Sequence, residues 1–458
     1  MKFKIKRRMS VWRYLALGYA LLIFIGSLLL MLPFAKQSGE WGTFLDYVDG
    51  LFVATSATCV TGLTPVVTAE HWTTFGHVVI ICLIQIGGLG FTTLVSILFM
   101  AIRGKGLGLY ERTAMIQSVG GSKLTGVKTL VKRILLGTFL FEFVGALLLM
   151  IRFIPDFGPV GIWYGVFHSI SAFCNAGFDI IGPVSLVDYA RDPLVSIVIC
   201  ALIIIGGLGF CVWGDVVDCK GNPKKFSFYT RMALIGTAVL LVVGTALFMV
   251  FEWNNETYVE YNYNFGDKLL CSFFNATTAR TAGYFTTPPE DLSNSGTLLM
   301  IILMFIGACS GSTGGGVKVS TFTVIMMGML SVMRGKKDIT IGKRRIDQSV
   351  LSQALAIFVA YLVLTITATL LINAIEPDKI NGEDFASFSA VMFETVSAIG
   401  TVGLTQALTS HLSAVSEFIL ILLMYLGRVG ILTFAFALKR QKTSEAAVRR
   451  PLDNVFIG

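Results

Sequence analysis

TSATCVTGLTP, residues 55–65, is a polar stretch with one glycine, set between two strongly apolar segments. Backbone that leaves a helix at membrane depth must be buried in protein or line a water-filled path, because hydrocarbon offers it no hydrogen-bond partner. A related pattern returns as AFCNAGF at 172–178, TARTAGY at 278–284 and AIGTVGL at 398–404. Aligned on Gly62, Gly177, Gly283 and Gly403, the copies lie 115, 106 and 120 residues apart. One copy alone reads as an ordinary helix break. Four in register read as four walls of a single axis, and the expectation is an ion path with these segments as its selectivity filter.

Of the 458 residues, 54% are hydrophobic and 14% charged, a balance foreign to soluble chains of this length. Many apolar runs reach the roughly 20 residues that cross about 30 Å of hydrocarbon as a helix. An all-α polytopic membrane protein is expected. The net charge of +8 would suit nucleic acid if it were spread evenly. Instead 28 of the 36 Lys and Arg fall at Lys2–Arg13, Arg103–Arg133, Lys220–Arg231, Arg334–Arg345 and Lys439–Arg450. The alternate loops carry acids such as Glu252, Glu256, Glu260, Glu376, Asp378, Glu383 and Asp384. This positive-inside pattern puts both termini in the cytoplasm and accounts for the basic surplus without a nucleic-acid partner. The eight cysteines form no CxxC pair, so neither a disulfide framework nor a zinc site is indicated. Met1–Leu32 has the basic head and apolar run of a signal peptide but no small-residue cleavage site before Pro33, and reads as a retained first span.

Each quarter repeats one plan: a spanning helix, a short apolar half-helix, the glycine stretch, and a second spanning helix. The quarters are 1–110, 111–225, 226–345 and 346–458, giving eight spans around one central pore. The re-entrant half-helices are expected at Tyr47–Ala57, Gly161–Ala172, Asp267–Thr278 and Asp384–Ala398. The second helices are expected at His71–Ile102, Pro193–Val217, Ser295–Met333 and Leu412–Leu438. They share a small-residue mark: LIQIGGLGF at 83–91, LIIIGGLGF at 202–210, MFIGACSGSTGGG at 304–316 and MYLGRVGIL at 424–432. Its first glycine follows the filter glycine by 25, 29, 24 and 24 residues. Singly these are close-packing positions between helices in lipid. Together they read as one place in four copies.

A cation in a narrow pore loses water, and backbone carbonyls replace it. Glycine admits the backbone conformations that turn carbonyls inward, and each half-helix aims the negative end of its dipole at the ion. The filters differ as CVTGL, CNAGF, RTAGY and GTVGL, so backbone rather than side chain is the common ligand. Filter, spacing and third-quarter loop resemble the Trk/Ktr/HKT superfamily of potassium transporters, over essentially the whole chain. Within it the chain is most similar to the bacterial Ktr membrane subunits, since it begins directly with the first repeat. The resemblance implies K+ as the transported ion. Its ligands would be backbone carbonyls at Val60, Thr61 and Gly62, at Asn175, Ala176 and Gly177, at Thr281, Ala282 and Gly283, and at Thr401, Val402 and Gly403. Some relatives carry serine in the first filter, so Gly62 favours potassium.

The stretch GACSGSTGGGVK, residues 307–318, breaks the third quarter's second helix. It does not match a phosphate-binding GxxxxGK[ST] loop, because Val317 separates Gly316 from Lys318. Its counterpart in the resembling family is a mobile intramembrane gate, which here comprises Gly307, Ser310, Gly311, Ser312, Thr313, Gly314, Gly315, Gly316 and Lys318. Arg428 lies mid-helix, where an arginine is costly unless paired; its donors are expected to hold loop carbonyls in a closed state. Lys318 is read as a cytoplasmic anchor. Arg280, within the third filter, is expected to pair with Glu394, while Glu142 and Glu417 are left without assigned partners. His71, His77, His168 and His411 show no metal-ligand spacing and read mostly as interfacial.

The expected function is the ion-conducting subunit of a potassium uptake system in a bacterial plasma membrane, not an enzyme, with no cofactor in this chain. The resemblance adds a homodimer and a cytoplasmic ring of regulatory subunits that bind ATP or ADP, with Na+ as an activator. The basic loops would receive that ring or anionic membrane lipid. A secondary carrier with discontinuous helices is the alternative, but it predicts inverted halves rather than four repeats in one orientation.

Overall fold

The computed structural model describes residues 11–90, 93, 127–336, 338–341, 344–377, 379–380, 383–384 and 387–438. The basic head before Val11, most of the loop before Val127 and the tail after Leu438 lie outside them. The chain is predominantly helical, and its order repeats. The first quarter comprises α1 (Val11–Leu30), α2 (Phe44–Cys59) and α3 (Thr74–Leu89). The second has α4 (Val127–Phe157), α5 (Val160–Phe173), α6 (Pro193–Leu208) and α7 (Phe210–Asp218). The third has α8 (Phe228–Phe251), α9 (Phe265–Thr278), α10 (Asn294–Phe305) and α11 (Val319–Met333). A small antiparallel hairpin, β1 (Ile339–Ile341) and β2 (Arg344–Ile346), leads into the fourth. That quarter has α12 (Gln348–Ile375), α13 (Phe388–Gly400), α14 (Ala414–Val429) and α15 (Ile431–Leu438).

The short helices start where the sequence supplies caps. Thr43 and Asp46 form a reciprocal capping box on α2, Asn264 and Asp267 another on α9, and Ser387 caps α13. Each box satisfies amide donors that the first helical turn leaves unpaired. The half-helices consequently start a little earlier than expected in the first and third quarters. The C-terminal halves of α2 and α13 are wholly buried and those of α5 and α9 nearly so, Ile170 and Phe273 being partly exposed, whereas α4, α8 and α12 present Phe139, Leu140, Val242, Val243, Val363 and Ile366 outward. Large apolar side chains facing outward over whole helices are what a hydrocarbon solvent demands.

Four helices are individually long and apolar enough to cross a membrane, namely Trp12–Leu30, Val131–Phe157, Phe228–Phe251 and Gln348–Ile375. They are the first helix of each quarter. The second helices depart from expectation: among the described residues none is continuous through its glycine mark. Breaks fall at Gly90, Gly209 and Gly430, with φ of 83°, 94° and 88°, a region that glycine enters without steric cost. At Gly209 the chain turns by 89° from α6 into α7, and this bent pair counts as a fifth span. In the third quarter the same break widens into the loop 307–318. The glycines are therefore hinge points as well as packing positions.

The first and fourth quarters meet to close the bundle. Arg13 Nε donates to Ala437 O at 2.6 Å, and Tyr425 Oη donates to Ala16 O at 2.6 Å.

Candidate ion pathway

Each glycine stretch follows the end of its half-helix and adopts one backbone pattern. Two residues before the glycine, Val60, Asn175, Thr281 and Thr401 have φ of 59°, 59°, 69° and 51°. The glycines themselves have φ of 100°, 68°, 80° and 95°. The intervening Thr61, Ala176, Ala282 and Val402 do not take positive φ. Left-handed backbone costs a non-glycine residue about 1–2 kcal/mol, and it persists only where its surroundings over-determine it. Alternating the sign of φ lets successive carbonyls face one side, as a carbonyl-lined passage requires.

The four glycines meet in a cycle. A methyl group at Gly62, Gly177, Gly283 or Gly403 would come within 2.8 Å of the carbonyl oxygen of Ala176, Ala282, Val402 or Thr61 respectively. Each glycine thus abuts the middle carbonyl of the next quarter, and the fourth returns to the first. The ends of α2, α5, α9 and α13 surround this ring, so four partial negative charges converge on it.

Hydroxyl groups six residues before the glycines brace the ring, a feature the sequence reading missed. Ser56 Oγ accepts from Gly62 N at 3.0 Å, and Ser397 Oγ accepts from Gly403 N at 3.1 Å. Ser171 Oγ donates to Phe178 O at 3.1 Å. The third copy uses Thr278, one residue later, which donates to Tyr284 O. Its winding differs too: Ala282 N donates four residues back, where Thr61, Ala176 and Val402 donate five back. The recurrence of Ser or Thr at this offset was the available signal. The second copy has a further prop in His168, whose Nε2 lies 3.0 Å from Asp179 Oδ1. His168 and His77 are both buried within the bundle.

Three marks on the second helices seat them against the half-helix ends. A methyl at Gly87, Gly206 or Gly427 would collide with the carbonyl of Thr58, Phe173 or Ile399. Gly307 instead meets Gly315 within the loop.

The loop 307–318 runs directly against the inner edge of the ring. Thr313 Oγ1 pairs with the Asn175 side-chain amide at 2.9 Å. A methyl at Gly314 would strike Thr281, and one at Gly315 would strike Thr401. Consecutive loop residues therefore contact the left-handed residue of the second, third and fourth copies in turn. Arg428 donates to Thr313 O and to Gly87 O, tying the loop to α14 and α3. Lys318 does not reach outward as an anchor; its Nζ turns back to Gly314 O at 2.6 Å and Gly315 O at 3.3 Å. The loop's outer strands are fixed as well, with Gly307 N bonded to Val317 O at 2.9 Å and Tyr229 Oη to Ser310 O at 2.7 Å. Beyond it lies a cavity of about 430 Å³ lined by Gly90, Ser310, Gly314, Lys318 and Arg428.

The expected Arg280–Glu394 pair is not formed. Arg280 is buried behind the third copy, with Nη2 at 3.3 Å from Thr237 Oγ1 on α8. Glu394 instead accepts from Thr405 Oγ1, from Thr409 Oγ1 at 2.7 Å and from Gln406 N at 3.1 Å. A carboxylate nearly two turns from the end of α13 reaches the chain just past its own glycine sooner than it reaches the neighbouring quarter. Glu142, left unassigned by sequence, accepts from Gln85 Nε2 at 3.2 Å behind Cys174. Glu417 is buried in the first turn of α14.

A family model described as TrkH, cation transport protein, matches residues 20–449. The potassium/sodium uptake protein NtpJ of Enterococcus hirae is 39% identical, covering 100% of this chain and 99% of that protein. The Ktr system potassium uptake protein B of Bacillus subtilis is 39% identical, over 97% of this chain and 96% of its own length. The Ktr system potassium uptake protein D of the same organism is 33% identical, over 99% of both chains. The crystal structure of the potassium transporter TrkH from Vibrio parahaemolyticus superposes with a TM-score of 0.70 at 18% identity. That match covers 96% of this chain and 87% of the other, and shows a shared fold.

Proposed function

The chain belongs to the TrkH cation transport family, and from that premise we propose that it is the ion-conducting membrane subunit of a bacterial potassium uptake system. One observation carries the reading: four backbone segments with the same alternation of φ interlock in a closed cycle, each glycine against the next quarter's middle carbonyl. Such a cycle offers K+ a set of carbonyl oxygens in place of its hydration water, with four half-helix ends adding to the field. The carbonyls at 60–62, 175–177, 281–283 and 401–403 are the proposed ligands. The four quarters, 1–110, 111–225, 226–345 and 346–458, are the proposed repeats, eight passages in all when each broken second helix is counted as one.

The loop 307–318 is the proposed gate. It occupies the inner edge of the ring, and Lys318 and Arg428 hold it there by charge-assisted hydrogen bonds. Two cationic groups beside the path also oppose a K+ ion leaving the ring. Opening therefore requires the loop and both cations to move together. Inward flow is then driven by a negative interior, worth about 2.3 kcal/mol per charge for each 100 mV. We further propose a homodimer in the plasma membrane with cytoplasmic termini, regulated by a cytoplasmic ATP- or ADP-binding ring and stimulated by Na+. The names of the two Bacillus relatives, each part of a Ktr system, support a partner.

The test is growth and K+ uptake in a bacterial strain lacking its own potassium uptake systems, expressing this chain with and without a Ktr-type partner subunit. Restored growth at low K+ is expected. Membrane-inserted protein that restores no K+ uptake in either combination would reject the proposal.

A further inference from the structure

A groove of about 750 Å³ runs between α8 and α11, well away from the glycine ring. Its walls are apolar: Phe228, Ile235 and Val239 on α8 face Val319, Phe322 and Met326 on α11. Its floor is thin where the helices cross, since a methyl at Gly236 would lie 2.7 Å from Val319 Cγ1. Two arginines, Arg231 in the first turn of α8 and Arg344 in β2, line the same groove, and both are exposed. On α8, Arg231 and Phe228 come five and eight residues before Gly236, the position that meets Val319 and Thr323 of α11. From Phe228 to Leu240 the wall is about 18 Å long at 1.5 Å per residue. That is close to one leaflet, half of about 30 Å.

We propose that this groove is a binding site for an anionic phospholipid, its phosphate held by Arg231 and Arg344 and one acyl chain laid between α8 and α11. The charge pattern selects the occupant. An apolar slot of leaflet depth, lined by two guanidinium groups that form no ion pair among the described residues, matches a lipid of negative headgroup. Among the described residues Arg231 reaches a backbone oxygen, Lys224 O at 2.5 Å, and Arg345 rather than Arg344 takes the nearby Asp338. A second copy of this chain, by contrast, would have to bring an acidic face to those arginines. The site also touches the proposed gate. Val319 is the first residue of α11, directly after Lys318, and its N–H donates to Ala308 O at 3.2 Å in the loop. A lipid tail against Val319 braces the helix on which the loop hangs. The inference is independent of which cation the ring conducts.

The test is native mass spectrometry of delipidated full-length protein titrated with phosphatidylglycerol or phosphatidylcholine. Preferential retention of phosphatidylglycerol is expected, weakened about fivefold by Arg231→Gln or Arg344→Gln singly and more by both, at about 1 kcal/mol per basic residue. Equal retention of both lipids, or no effect of the double variant, would overturn the proposal. Both arginines are exposed, so the variants are expected to fold. As a second readout, a photoreactive residue at position 239 in native membranes should acquire the mass of a phospholipid. Cross-linking to a second copy, or no adduct, would count against lipid as the occupant.

Discussion

At the residue scale, the decisive positions are those where no side chain fits. Gly62 combines a φ of 100° with a neighbouring carbonyl where its Cβ would go, so Gly62→Ser both strains the backbone and displaces Ala176 O. Strain of this kind is worth about 1–3 kcal/mol. The ratio of K+ to Na+ flux is expected to fall about tenfold, with the protein still eluting as a folded particle. Gly314→Ala should act differently. Its methyl would strike Thr281 from the loop side, pushing the loop away and raising basal flux severalfold with selectivity kept. Lower flux from well-folded Gly314→Ala protein would argue that the loop supports the ring rather than closing it. Arg428→Gln removes the charged donor to Thr313 O and Gly87 O. Bonds to charged groups contribute about 1.5–3 kcal/mol each, so flux measured at rest should rise here too.

At the element scale, buried carboxylates couple the two long pieces of a quarter. Glu252 ends α8 and accepts from Ser293 Oγ at 2.6 Å, the cap of α10; Glu376 ends α12 and accepts from Ser413 Oγ at 2.6 Å, the cap of α14. Glu376→Ala removes the acceptor of the Ser413 N–H and of two hydroxyls, which keep only their bond to each other, at about 1–3 kcal/mol. A melting temperature lower by a few degrees is expected, with selectivity unchanged, and an unaltered melting curve would show that water replaces the carboxylate. Sequence made part of this architecture legible. Half-helices followed by TxG-like breaks announce themselves, because a polar run inside apolar sequence has few explanations in a membrane. The breaks at Gly90, Gly209 and Gly430 did not, since a glycine in an apolar run packs and hinges equally well. The partners of Arg280 and Glu394 were also illegible. Adjacent quarters can bring the two together, but the nearer Thr237, Thr405 and Thr409 satisfy each locally.

At the scale of the whole molecule, fourfold repetition lets a weak local motif become a site. No single stretch closes a ring; the cycle needs the fourth quarter against the first, where Gly403 abuts Thr61 O and α1 meets α15. An ion bound by all four quarters, as proposed, would stabilise the folded chain by mass action, about 2.7 kcal/mol at one hundred times the dissociation constant. Purified protein should therefore melt higher in K+ than in Na+ at equal ionic strength, and the difference should vanish in Gly62→Ser. The asymmetry of the third quarter belongs to the proposed gate. Three second helices end at one glycine, whereas the fourth position is spent on a loop that touches three copies at once.

The most direct measurement is the ratio of K+ to Na+ flux into liposomes under an imposed inside-negative potential, for the wild-type chain and Gly62→Ser side by side. The ring of carbonyls predicts potassium-selective flux in the first and a ratio about tenfold lower in the second. Equal flux of both ions in the wild type, or a ratio untouched by the serine, would contradict it.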